Sequence, residues 1–300
     1  MPNPDHRKIL LPVATGHSFE GATRYAADQA TLLGCGIHVV TVLHPLHRSE
    51  PGVEELVLVE GELRKAGTEI LTQVCHDLRG LLAGQDLPVS TELRHGPLTS
   101  ELVELSADAR LVVMQRRHHG RLARIVTMST TNGLAARSLA PVVSVPATWD
   151  LVEPQRGPVL VGIEDPHDPG VGEEAVRLGL EMARRTGTSV ELVHGWSFTE
   201  AYDDLVFANG GAGAESRDRR TRLMKTFAGL LAEYDDVDVE AVVEHARAAQ
   251  LLVSSAGKAS CLVVGRHHPS YPGGSHVGPI TRAVLREAPC PVLVAPVRPT

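Results

Sequence analysis

The sequence predicts an α/β protein made of two tandem, doubly wound parallel sheets of five strands each. Three observations carry this expectation. Motifs in the first half return 150 residues later in the second. Each half alternates aliphatic runs with segments of helical period. Aromatic residues are only 3 % of the 300, so the cores must be built from Val, Leu, Ile and Ala. Parallel strands covered on both faces read as such aliphatic runs. At roughly 100–200 residues per domain, this length accommodates two domains, each large enough to bury a core.

The repeat is legible at the start, middle and end of the halves. Val13-Ala14 corresponds to Ile163-Glu164, and Leu111 to Gln115 corresponds to Cys261 to Gly265. The run Ala140-Pro141-Val142-Val143-Ser144-Val145-Pro146 returns as Cys290-Pro291-Val292-Leu293-Val294-Ala295-Pro296. Between the copies, Pro154, Gly157 and Pro158 break a linker from Thr148 to Pro158. The expected domains are therefore residues 1–148 and 158–300.

In the first half, strands are expected at Lys8–Ala14, Ile37–Leu43, Pro88–Arg94, Arg110–Gln115 and Val142–Val145. Helices are expected at Phe19–Leu33, stopped by Gly34-Cys35-Gly36, at about Val53–Leu82, at Leu98–Ala107 and near Ser129–Ser138. In the second half, strands fall at Val159–Ile163, Ser189–Gly195, Val237–Glu244, Ser260–Gly265 and Val292–Ala295, with helices between them. Such alternation implies parallel strands joined by crossover helices, with ligands bound at the carboxyl ends of strands where the strand order reverses.

This order of elements, with Val159 to Glu164, Val190 to Trp196, Ala288 to Val294, Tyr25 to Ala30 and Leu139 to Val143, resembles the Rossmann-like universal stress protein family in two copies. The resemblance implies a cytoplasmic, non-enzymatic ligand-sensing or interaction module in stress or dormancy. It also implies an intramolecular pseudo-dimer of the halves, a homodimer of such chains, and a protein partner. Two alternatives stay open. One is an ATP-binding form with a weak site in the second half and slow hydrolysis. The other is a ligand-free structural pseudo-dimer.

The nucleotide-binding branch of that family carries G-x2-G-x9-G-[ST] after its fourth strand and an Asp at the end of its first. Glycine lets the backbone approach phosphate, and amides at a helix start hold anions. The candidate residues for ATP or another adenine nucleotide follow by position. In the second half they are Ile163, Glu164, Gly195, Gly265, Arg266, His268, Gly278, Pro279 and Thr281. In the first half they are Ala14, Val42, Gln115, His118, Ser129 and Thr131. Both copies depart from the pattern. The second reads Gly265-x2-His268-x9-Gly278-Pro279, with Glu164 for the Asp. The first reads Gln115-x2-His118-x9-Met128-Ser129, with Ala14 for the Asp. A hydrogen bond to a charged group contributes about 1.5–3 kcal/mol. Losing the amide and hydroxyl at Pro279 therefore weakens phosphate binding by roughly 10²-fold or more.

Other features bound the function. Residues 1–150 hold 14 Lys+Arg against 16 Asp+Glu, and the remainder holds 15 against 20. Neither half is a basic nucleic-acid binder, and the low aromatic content argues against base stacking. Cys35, Cys75, Cys261 and Cys290 form no C-x-x-C pair, so no zinc or redox motif is expected. No signal-peptide pattern or membrane-length apolar run is present. His118-His119 follows Arg116-Arg117, and His267-His268 follows Arg266, in corresponding loops. These read as a solvated loop, a pH-sensitive anion site or, less simply, a metal site, and no metal is expected. His44 and His47 read as loop residues. Glu164-Asp165 reads as a polar loop start whose side chains point apart. Thr199–Arg220 reads as a connector or a lid over the strand ends.

Overall fold

The computed structural model describes residues 7–44, 53–116, 130–147, 149, 157–167, 169–197, 212–266 and 277–297. The chain divides into two compact units, Met1–Leu151 and Val152–Thr300.

The first unit runs β1 (Lys8–Pro12), α1 (Glu20–Leu33), β2 (Ile37–Leu43), α2 (Val53–Leu81), β3 (Val89–His95), α3 (Leu98–Leu105), β4 (Ala109–Gln115), α4 (residues 130–137) and β5 (Val142–Val145). Its strands lie in the order β3-β2-β1-β4-β5, all parallel. Chain direction across the sheet reverses between β1 and β4, so these two strand ends flank the switch point. On one face, Leu10, Val40, Val112 and Val142 pack with Leu102 of α3 and Leu134 of α4. The other face is covered by α1 and α2. Helix α1 ends where Gly34 turns to the left-handed region at φ 60°, its N–H reaching the carbonyls of Ala30 and Thr31.

The second unit repeats this plan: β6 (Val159–Gly162), α5 (Pro169–Thr186), β7 (Val190–Trp196), α6 (Ala212–Thr226), α7 (Ala228–Ala232), β8 (Val239–His245), α8 (Ala248–Ser255), β9 (Cys261–Val264), α9 (Pro279–Glu287) and β10 (Val292–Val294). Its strand order is β8-β7-β6-β9-β10, again parallel. The switch point lies between β6 and β9. The core is aliphatic: Val159, Leu160, Val161, Leu192, Leu262 and Val263 are at most 1 % exposed.

Element ends differ from expectation by one or two residues at several places, and at two of them the reason is physical. The first strand stops at Pro12, and β6 stops at Gly162. The next residue in each unit, Val13 or Ile163, still donates to a neighbouring strand, at Val40 (2.8 Å) and Val193 (2.9 Å). The backbone then leaves the sheet. Residues 212–220, expected within a connector or lid, are helical. Glu215–Arg219 and Asp218–Arg222 form i,i+4 ion pairs that support this turn-rich polar helix. Residues 198–211 of that segment lie outside the described residues. All four cysteines are buried, and none is in a disulfide. No described helix is long and apolar enough to cross a membrane.

Candidate functional site

At the switch point of the second unit the sheet opens into a cavity of about 190 Å³. Its floor is the ends of β6 and β9, through Gly162, Ile163, Val264 and Gly265. One side is Val193 and Gly195 of β7 with Ala248 and Leu252 of α8. The start of α9, from Gly278 through Thr281, closes the other side, and Glu164, Asp165 and Gly172 line the rim. Gly195 is required by close approach. A Cβ there would lie 2.8 Å from Ala248 Cα and 3.0 Å from the Ala246 carbonyl, so only glycine lets α8 begin directly over β7. Gly278 caps α9 and Pro279 is its first residue, a position where the missing N–H costs nothing to the helix.

Among the described lining residues two are carboxylates. Glu164 and Asp165 are exposed, and the Asp165 carboxylate accepts the His167 N–H at 2.8 Å. Beneath the β6 end, His194 is 4 % exposed and donates from Nδ1 to the Ile163 carbonyl at 3.0 Å. Burial pushes this imidazole below its ordinary value, opposed by that carbonyl bond. With Nδ1 carrying the proton, Nε2 is a bare acceptor, and it has no hydrogen-bond partner among the described residues. The loop after β6 is tied to α6: Thr226 Oγ1 donates to the Pro166 carbonyl at 2.8 Å, and Arg222 lies 3.4 Å from His167 Nε2. Helix α6 is anchored in turn by Trp196, whose Nε1 donates to Ser216 Oγ at 2.9 Å and whose ring lies under Arg219.

In the first unit a glutamine stands where the second unit has Gly265. Gln115, at the end of β4, is 5 % exposed. Its Oε1 accepts the Ala22 N–H at 2.8 Å, an amide of the first turn of α1 that has no helical partner. Its Nε2 donates to the Val145 carbonyl at 3.2 Å. One side chain thus staples β4 to α1 and β5, where the second unit has Gly265. Ala14 and Val42 are half-buried, and Thr131 is 3 % exposed in the first turn of α4. Thr41 stands where the second unit has His194, and donates to the Val13 carbonyl at 3.2 Å.

Of the residues singled out by sequence, Ile163, Glu164, Gly195, Gly265, Gly278, Pro279 and Thr281 meet around one cavity. Arg266 is half-buried beside it without lining it, and burial lowers its guanidinium from the ordinary value. His118, Ser129 and His268 lie outside the described residues, as do Met128, His47, His119 and His267. Glu164 and Asp165 lie in the loop that follows β6, both exposed and both lining the cavity, as a polar loop start. Gly172, Val193, Ala248, Leu252, Val264 and Ile280 were not singled out. Most are aliphatic and read as ordinary core, although Gly172 in a helical stretch was a visible signal. Among the described residues no group of three or more His, Cys, Asp or Glu is placed to hold a metal ion.

Comparison with known proteins follows the geometry. Residues 6–146 and 156–296 each match the model of the universal stress protein family. A universal stress protein of Mycolicibacterium smegmatis is 29 % identical over 295 residues, covering 97 % of this chain and 97 % of the relative. One of Mycobacterium tuberculosis is 32 % identical over 216 residues, 71 % of this chain and 70 % of the relative. Among solved structures, a universal stress protein from Archaeoglobus fulgidus matches with a TM-score of 0.69 at 16 % identity, over 97 % of this chain and 96 % of its own. The cytoplasmic domain of a prokaryotic cation chloride cotransporter matches with 0.52 at 9 % identity, over 96 % of this chain and 95 % of its own. Both structural likenesses are likenesses of fold.

Proposed function

The chain belongs to the universal stress protein family, and from that premise we propose that it is a non-enzymatic ligand-sensing module with one working site, in its second unit, for an adenine-containing ligand. The observation that carries this is the contrast at the switch point. The second unit has a cavity over Gly265, whereas the first places the buried, hydrogen-bonded side chain of Gln115 at the equivalent strand end. The adenine class comes from the family resemblance, and the aliphatic walls around Val193, Leu252 and Val264 suit a flat ring. A triphosphate fits the first unit poorly, because the side chain of Gln115 stands where the phosphate pattern has its first glycine. In stress or dormancy physiology, ligand occupancy would set which partner the chain engages.

The test is equilibrium dialysis of the full chain with radiolabelled adenine compounds, alongside mass spectrometry of small molecules released from freshly purified protein. The expected result is one adenine ligand per chain, lost in Gly265→Gln. The first unit accommodates glutamine at this position, so that variant should fold. Two ligands per chain, no adenine ligand, or binding that survives Gly265→Gln would overturn the assignment.

A further inference from the structure

Away from the strand ends of the switch point, a chain of polar side chains runs across the sheet of the first unit. Lys8 of β1, His38 of β2 and Ser90, Glu92 and Arg94 of β3 alternate onto the face that carries Leu10 and Val40 beneath Leu102 of α3. His38 and Ser90 are opposite one another in the strand register, and all five side chains are half-buried. Lys8 Nζ donates to Ser90 Oγ at 3.1 Å, Ser90 Oγ lies 3.0 Å from His38 Nδ1, and His38 Nε2 lies 2.9 Å from Glu92 Oε2. Arg94 Nε donates to the other Glu92 oxygen at 2.8 Å and pairs with Glu101 and Glu104 of α3. Chemistry sets the direction of each bond. An ammonium only donates, and an ionised carboxylate only accepts. Glu92 is held below the usual carboxylate range, chiefly by its bond to Arg94. In the neutral imidazole Nε2 therefore carries the proton, Nδ1 is the acceptor, and the Ser90 hydroxyl donates to it. That hydroxyl points its proton at a base while its oxygen accepts a bond from a cation.

The scaffold itself does not require this chain. At the same register of the second unit, Glu191 stands opposite Glu240, two carboxylates in place of the imidazole and the hydroxyl. We propose that Ser90 is a nucleophile, with His38 as its base, that accepts an acyl group from an activated donor of the acyl thioester class. Ser90 Oγ bonds to the carbonyl carbon, the carbon–sulfur bond breaks, and the hydroxyl proton passes through His38 Nδ1 to the departing sulfur. Nothing is oxidised or reduced. A serine whose proton is taken by an imidazole, itself held by a carboxylate, is an arrangement suited to acyl transfer, and the carboxylate on Nε2 leaves Nδ1 as the base here. The Lys8 ammonium supplies positive charge beside the oxyanion of the tetrahedral intermediate. Ser90 is half-buried on β3, the last strand of the order, within reach of a donor in solution. The product is one serine ester per chain, a covalent modification of the first unit.

The experiment exposes the full chain to a fluorophosphonate, which bonds permanently to activated serines, and in parallel to an acetyl thioester. Digestion and mass spectrometry then map each label. Both probes should label Ser90 ahead of every other serine, and hydroxylamine should remove the acetyl group, as it does from an ester and not from an amide. Ser90→Ala should abolish the label. His38→Gln, which keeps a polar side chain without a base, should slow labelling by about 10²-fold or more. Thermal melts check that both variants are folded, and the map on the parent chain stands without them. A parent chain in which Ser90 is unlabelled, or labelled no faster than other serines, overturns the nucleophile. Labelling by the fluorophosphonate but not by the thioester overturns the acyl donor class. An unchanged rate in folded His38→Gln overturns the role given to the imidazole.

Discussion

At the scale of the residue, two pairs of equivalent positions set the units apart. The first pair is Gln115 and Gly265. Replacing Gln115 by Ala deletes the bonds to Ala22 and Val145 and leaves a buried helix-start amide unsatisfied. The expected cost is about 1–3 kcal/mol in urea unfolding of the first unit. A change within error would mean that the staple is incidental. The second pair is Thr41 and His194, which both bond the carbonyl after the first strand. His194 faces Arg219 of α6 and Asp165 and His167 of the loop after β6, and burial dominates its titration. Its value in the folded chain lies below the ordinary 6.5. Below pH 6.5 the unfolded chain therefore takes up a proton that the folded chain refuses. This histidine's contribution is fully present above 6.5 and is lost as pH falls toward the folded value. His194→Thr, which copies the first unit, should lose less stability than the parent between neutral and mildly acidic pH. Urea melts at a series of pH values decide it, and equal slopes would refute the assignment.

At the scale of the element, the site depends on helices beginning close to strand ends. Gly195 is the tightest such contact, because the start of α8 lies against its Cα. Gly195→Ala must push α8 outward or bend β7, at about 1–3 kcal/mol for overpacking. It should also weaken ligand binding, since Ala248 and Leu252 form a cavity wall. Thermal melts and dialysis on the same variant separate the two effects. Unchanged melting and binding would show that α8 shifts freely. The first unit has Val42 at this position, half-buried, so there α3 has no need of the same close approach.

At the scale of the whole molecule, the repeat supplies two similar scaffolds with different strand-end chemistry, and the proposed function gives a ligand to the second alone. A ligand that binds only the folded state stabilises by about 2.7 kcal/mol at a concentration one hundred times its dissociation constant. Adding adenosine at that excess should raise the melting temperature of the parent chain and of Gln115→Ala alike. Gly265→Gln should not respond. A response in Gly265→Gln would place the ligand elsewhere on the chain.

Much of this was legible in the sequence. The element order and both five-stranded parallel sheets followed from aliphatic runs, helical spacing and a 150-residue repeat, because these patterns record which faces are buried. The strand-end positions Ile163, Glu164, Gly265, Gly278 and Pro279 were also readable, because a doubly wound sheet binds its ligands where strand order reverses. Tertiary structure alone decided the rest. Gln115 read as a missing glycine, and only the fold brings it 2.8 Å from an amide 93 residues earlier, turning an absence into a staple. Val193, Leu252 and Val264 read as core, and they become cavity walls because Gly265 leaves the space above them open. Sequence pattern specifies which side chains are buried. Which of them face one another, and whether a void remains between them, depends on how distant elements pack.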